Sequence, residues 1–295
     1  MKKKLSILFA LLFLTVSGAR SQTVKKAEQS GLLYEITGKN LKQPSYLFGT
    51  IHLICAKDMF AAEKMKGYIA QTGQIMLEFD MDDKAVIQKA LGYSMLKDGK
   101  SVKEYLTADE YARLDSLYKN YVGFSFDVLQ RFKPMISGAF LLTSPKVLGC
   151  QPPTVYDNYL AQTAAANKMP VIGLETAEEQ IAVIDSAPLD EQIKALNAIG
   201  ANPQKGIAEF QALYKLYLTQ DSDALYALAA AQLKAEGYSQ SKMLDSRNVK
   251  WIPAIEKNIA EKPTFIAVGA GHLGGKNGLI SLLRARGYKL TPIKL

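Results

Sequence analysis

The sequence predicts an α/β protein. A central mixed sheet takes strands from both chain ends, helices flank it, and a largely helical middle interrupts it, at about residues 83–262. Three observations predict this. Strand-like apolar runs gather at residues 32–81 and 264–293. Helical periods and capping boxes fill the interval. The chain closes on a strand–helix–strand segment, the pattern of a parallel pair with a crossover helix. The 295 residues are 48% hydrophobic, enough for one large core, and residues 22–295 read as one α/β domain.

Leu32 to Ile36 reads as a strand, Thr37-Gly38-Lys39-Asn40 as a turn, and Ser45 to His52 as a second strand begun by Pro44. Together they predict a hairpin. Phe60 to Gln71 is helical. Gln74 to Met81 is a strand, apolar until Glu78 and Asp80, as expected of one buried on both faces. The long helical stretch from Asp83 to about Ala166 breaks at Asp98–Ser101, and Thr107-Ala-Asp-Glu110 is a capping box. Pro134, Pro145 and Pro152-Pro153 punctuate the rest. Pro170 to Glu175 is a short strand, and a second capping box, Thr176 to Glu179, opens the next helix. Residues 188–262 are mostly helical, with breaks near Asn202-Pro203 and Gly237. Thr264 to Val268 is a strand, a helix lies within Gly275 to Arg286, and Tyr288 to Ile293 ends the chain as a strand.

Lys2-Lys3-Lys4, the apolar run Leu5 to Val16 and the small residues after it predict a secretory signal peptide over residues 1–21, cleaved after Ser21. That run is too short for a membrane-spanning helix. Four of the 36 basic residues fall in this leader. The formal charge of +8 therefore becomes +4 in the exported chain, and no basic stripe suggests nucleic acid. The expected location is periplasmic or secreted, with no transmembrane segment in the mature chain. Export puts Cys55 and Cys150, the only cysteines, where they can pair; two unrelated buried thiols are the other reading.

The two histidines share one context. Gly49-Thr-Ile-His52 and Gly269-Ala-Gly-His272 each close an apolar strand. Strand carboxyl ends are where open α/β sheets bind ligands. Gly49, Gly269 and Gly271 let backbone or ligand approach closely. Glu78 interrupts an apolar strand, where a charge is costly unless paired or liganded. Glu175 ends the next strand, and Arg247 lies mid-helix before Trp251. Two His and one Glu from strand ends allow a catalytic metal site with room for a water. A second Glu suits a general base, and Arg suits an oxyanion. No H-E-x-x-H, serine elbow or P-loop is present.

The segments Tyr46–His52, Gly173-Leu-Glu-Thr176 with Gln180, Arg247-Asn248 before Trp251, and Ala267–His272 resemble the TraB/GumN family, related to the animal TIKI metalloproteases. The resemblance runs from about residue 30 to 295. It implies a fold like that of erythromycin esterase and the haem-binding ChaN proteins. It also implies a divalent metal on His52, Glu78 and His272, with Glu175 and Arg247 in support, and a peptide or protein substrate; a mixed His and carboxylate set suits Zn, Mn or Co. The expectation is an exported metal-dependent hydrolase, peptidase-like. The alternative is a non-catalytic envelope protein that binds a peptide or haem at the same site.

Overall fold

The computed structural model describes residues 30–59, 62–80, 84–150 and 153–295. The expected leader lies outside them. Eight strands are described: β1 (Leu33–Thr37), β2 (Ser45–Thr50), β3 (Leu53–Cys55), β4 (Gln74–Leu77), β5 (Pro153–Val155), β6 (Val171–Gly173), β7 (Thr264–Gly269) and β8 (Lys289–Ile293). Six form a mixed sheet in the order β6-β4-β7-β2-β1-β8. β6, β4, β7 and β2 are mutually parallel, while β1 is antiparallel to β2 and β8.

The predicted N-terminal hairpin is β1–β2. Its turn passes through Gly38, Lys39 and Asn40, all at positive φ, a conformation suited to Gly and Asn. The closing strand–helix–strand segment differs from expectation. β7 and β8 point the same way but are not neighbours, because β2 and β1 lie between them. β2 is buried at every position and needs a partner on each side, which β7 and β1 supply.

The helices follow their caps and breakers: α1 (Ala62–Ile69), α2 (Lys84–Tyr93), α3 (Ala108–Tyr121), α4 (Pro134–Leu141), α5 (Pro145–Leu148) and α6 (Tyr156–Ala166). Then come α7 (Ala177–Ile184), α8 (Leu189–Ala201), α9 (Pro203–Leu218), α10 (Ser222–Ala235), α11 (Ser246–Glu261) and α12 (Leu279–Ala285). Both predicted capping boxes form, Thr107 with Glu110 on α3 and Thr176 with Glu179 on α7. Each contributes about 1 kcal/mol.

Two apolar cores result. One wraps the sheet, with Phe48, Phe265, Ile266 and Trp251 fully buried; the other joins α3, α4 and α8 through Leu114, Tyr118, Leu141 and Leu196. The second explains how the helical middle stays ordered away from the sheet.

The stretch expected to be helical up to Ala166 contains an unforeseen strand. β5 pairs antiparallel with β3 in a separate two-stranded ribbon, Leu53 opposite Val155 and Cys55 opposite Pro153. A disulfide joins Cys55 to Cys150, with Cα atoms 5.9 Å apart. Among the described residues no helix is long and apolar enough to cross a membrane.

Candidate active site at the carboxyl edge of the sheet

Four adjacent parallel strands each end on a residue singled out from sequence. In sheet order, Glu175 follows β6, Glu78 follows β4, His272 follows β7 and His52 follows β2. The strands are shorter than predicted: β4 stops at Leu77, β6 at Gly173 and β2 at Thr50. Backbone pairing nonetheless continues one step further. Leu174 N–H donates to Leu77 O and Glu175 N–H to Glu78 O, at 2.9 Å each, which sets the two carboxylates side by side.

Arg247 joins them. It enters from α11, two residues after a π-helical turn at Ser241–Asp245. Such turns free a backbone carbonyl and recur at functional sites; here Met243 O accepts from Arg247 Nη1 at 3.0 Å. Nη2 donates to Glu78 Oε2 at 2.7 Å and to Glu175 Oε1 at 2.5 Å, and Nε donates to Glu175 Oε2 at 3.1 Å. The guanidinium therefore forks one carboxylate and clamps a second. It also lies over the Trp251 ring, 4.8 Å from the centroid.

His272 completes the cluster. Its Nδ1 lies 2.7 Å from Asn248 Oδ1, and its Nε2 lies 3.1 Å from Arg247 Nη1. Asn248 can only accept through that oxygen, so Nδ1 carries the proton and Nε2 keeps its lone pair toward the guanidinium. The ring stacks near Trp251 at 4.6 Å. Burial holds the His272 pKa down at about 3, so the ring is neutral. Burial also raises Glu175. The same burial resists the charge on Glu78, but the field of Arg247 and the Gly269 N–H, 2.8 Å from Oε1, hold it well below the usual carboxylate range. Gln180 Nε2 donates to Glu78 Oε2 as well, at 3.1 Å.

The glycines of the two histidine motifs interlock. A Cβ on Gly49 would lie 2.5 Å from Leu273 Cδ1 and 3.1 Å from Ala270 Cα, inside the turn that carries His272. A Cβ on Gly269 would press on Glu78 Oε1 at 3.3 Å. Gly271 is less crowded, its nearest neighbour being Ala229 Cβ at 3.5 Å. The close approach read from sequence is thus one motif's backbone against the other's turn.

His52 stands apart. Its side chain is 76% exposed, and its partner is Asp157, Nδ1 to Oδ2 at 3.4 Å. That carboxylate raises its pKa, and the charges of Glu78 and Arg247 also reach it. Beside Glu175 and Arg247 opens a groove of about 480 Å³, with Glu179 and Asp185 on one bank and Lys242 and Lys250 on the other. An ion pair between Lys250 and Glu179 crosses it.

Among the described residues no three His, Cys, Asp or Glu groups are placed to hold a metal ion. The lone pairs of Glu78 Oε2 and His272 Nε2 are directed at a guanidinium, whose charge would repel a second cation. As arranged, these residues do not fit a divalent ion.

Sequence reasoning missed Asp157, which looks like an ordinary acidic residue in the first turn of a helix, and gave no role to Asn248 or Gln180. The family segments quoted above contain the last two; nothing in the sequence marks Asp157.

The acid–arginine–histidine cluster of this α/β fold lies at the carboxyl edge of its parallel strands, where open α/β sheets bind ligands. The chain belongs to the TraB/PrgY/gumN family, whose profile matches residues 32–292. It is similar to metalloprotease TIKI2 of Xenopus tropicalis, 25% identical across 84% of this chain and 58% of the relative. It is likewise similar to metalloprotease TIKI1 of Homo sapiens, 24% identical across 84% and 59%, and TIKI1 of Danio rerio, 22% identical across 94% and 66%. The chain thus spans about three-fifths of the first two relatives. No solved structure matches it.

Proposed function

We propose that the protein is an exported hydrolase of peptide or protein substrates, of the kind its metalloprotease-named relatives suggest. The observation that carries this reading is the buried Arg247, held by Glu78 and Glu175 and facing the neutral His272. Replacing a buried charge cluster of this kind with apolar residues is often neutral or stabilising, so a purely structural role would not require it. Aimed at the ligand edge of the sheet, the cluster supplies what acyl hydrolysis needs. Arg247 is a fixed cation that holds the two carboxylates at that edge, its N–H groups engaged by Glu78, Glu175, Met243 O and His272. Glu175, its pKa raised by burial, is the carboxyl suited to moving a proton. Asn248 and His272 hold Arg247 in place. His52 is the exposed imidazole that a substrate meets first. The Cys55–Cys150 bond supports export, because such bonds persist in oxidising compartments.

The test is incubation of the purified chain with a peptide library, read by mass spectrometry, with and without a chelator and with added Zn, Mn or Co. Cleavage lost in Glu175→Gln supports the reading. Peptide binding without cleavage under every condition overturns it in favour of capture.

A further inference from the structure

We propose that Asp157 is a positioning residue that fixes the His52 ring, and that the β3–β5 ribbon and its disulfide hold the pair together. The ribbon is separate from the main sheet and only three residues long on each side. Its register places Leu53 opposite Val155, so the next residues outward are His52 on one strand and Tyr156 and Asp157 on the other. At its opposite end the Cys55–Cys150 bond closes the ribbon. Without that bond, a two-stranded ribbon of this length is marginal in water. The pairing therefore couples two chain segments about 100 residues apart at the point where His52 leaves β2.

The ordinary explanation of Asp157 is a favourable charge in the first turn of α6. Two observations go beyond it. The N-cap of that helix, Val155, offers no side-chain cap, and the Asp157 carboxylate faces His52 Nδ1 at 3.4 Å. It is also sunken, its side chain 14% exposed, beneath a ring that is 76% exposed. An exposed imidazole with no support samples several rotamers and both tautomers. A carboxylate beneath Nδ1 selects one rotamer and the Nδ1–H form, leaving Nε2 as the nitrogen presented to a substrate. Asp157 touches no substrate in this arrangement; it acts through His52.

The kinetic consequence rests on the hydrolase reading, whereas the ring geometry does not, and one experiment separates them. The chain has two histidines, so ¹⁵N-histidine labelling gives two ring spin systems, and His52→Gln assigns them. At a pH where the His52 ring is neutral, the wild type is expected to show a protonated Nδ1 and a bare Nε2. In Asp157→Ala the ring shifts toward the Nε2–H form that free histidine prefers. If that variant unfolds, Asp157→Leu, of similar size but with no acceptor, is read instead and shifts in the same direction. Reduction of the disulfide in the folded wild type produces the same change. On any peptide the wild type cleaves, Asp157→Ala lowers kcat about tenfold or more with little change in KM, and Asp157→Asn recovers part of it. Unchanged His52 ring signals in the folded variants overturn the proposal. The expected ring shift in a chain that cleaves no peptide upholds the positioning role and overturns the hydrolase reading.

Discussion

Replacing Arg247 with alanine strands two carboxylates. The side chains of Glu78 and Glu175 are 10% and 2% exposed, and Arg247 is the cation bonded to both. Breaking a buried pair by removing one partner costs about 3 to 5 kcal/mol, because the remaining charge is uncompensated. The fold can escape by protonating a carboxylate. In Arg247→Ala the folded pKa values of the two acids rise above their unfolded values, through burial and mutual repulsion. A group with a raised folded pKa destabilises the fold increasingly as pH climbs through the unfolded value, so the deficit is largest at alkaline pH and shrinks in acid. The assay is urea unfolding followed by circular dichroism at pH 8 and pH 5. The expected loss is about 3 to 5 kcal/mol at pH 8 and clearly smaller at pH 5. A triple variant, Arg247→Met with Glu78→Gln and Glu175→Gln, regains most of it. A loss under about 1 kcal/mol at pH 8, or one unaffected by pH, refutes the claim that Arg247 holds two buried anions.

Three further outcomes follow from the same geometry. His272 has its folded pKa lowered from 6.5 to about 3, so its contribution is complete above pH 6.5 and is lost as pH falls toward 3. His272→Leu should flatten the wild type's stability loss in that window, and parallel slopes would contradict the assignment. Reducing the Cys55–Cys150 bond, whose separation is 95 residues, removes at most about 4.7 kcal/mol by chain entropy, and an unchanged Tm would show that the bond does not constrain the unfolded chain. Gly49→Ala, by forcing Leu273 and Ala270 aside, should cost about 1 to 3 kcal/mol and shift the His272 ring signals in NMR spectra; an unperturbed ring would mean that the motifs are not interlocked.

The parts of the fold written in local chemistry are legible in the sequence. The capping boxes at Thr107 and Thr176, the Gly38–Asn40 turn and the apolar strands all form within a few residues of their signals. Strand neighbours are not local. Nothing in Thr264 to Ile293 reveals that the N-terminal hairpin wedges between β7 and β8. The three-residue β5 carries too short a pattern to stand out from the prolines beside it. For the site, the expensive charges were the reliable signal: Glu78 in an apolar strand meets Arg247, as the cost of burial demands. The matching His motifs suggest symmetry, but one ring is buried against Asn248 and the other is exposed above Asp157. That difference comes from α11 and the ribbon, both remote in sequence from the histidines they serve.

The most direct test of the account is Arg247→Lys. Lysine keeps the charge but cannot fork Glu175 while also reaching Glu78 and His272. Peptide-library cleavage by the wild type and by this variant, both shown folded and both assayed with and without chelator, is the deciding measurement. The account predicts cleavage by the wild type and a fall of about a hundredfold or more in kcat for the variant. Cleavage by Arg247→Lys at the wild-type rate, or no cleavage by the wild type under any condition, contradicts it.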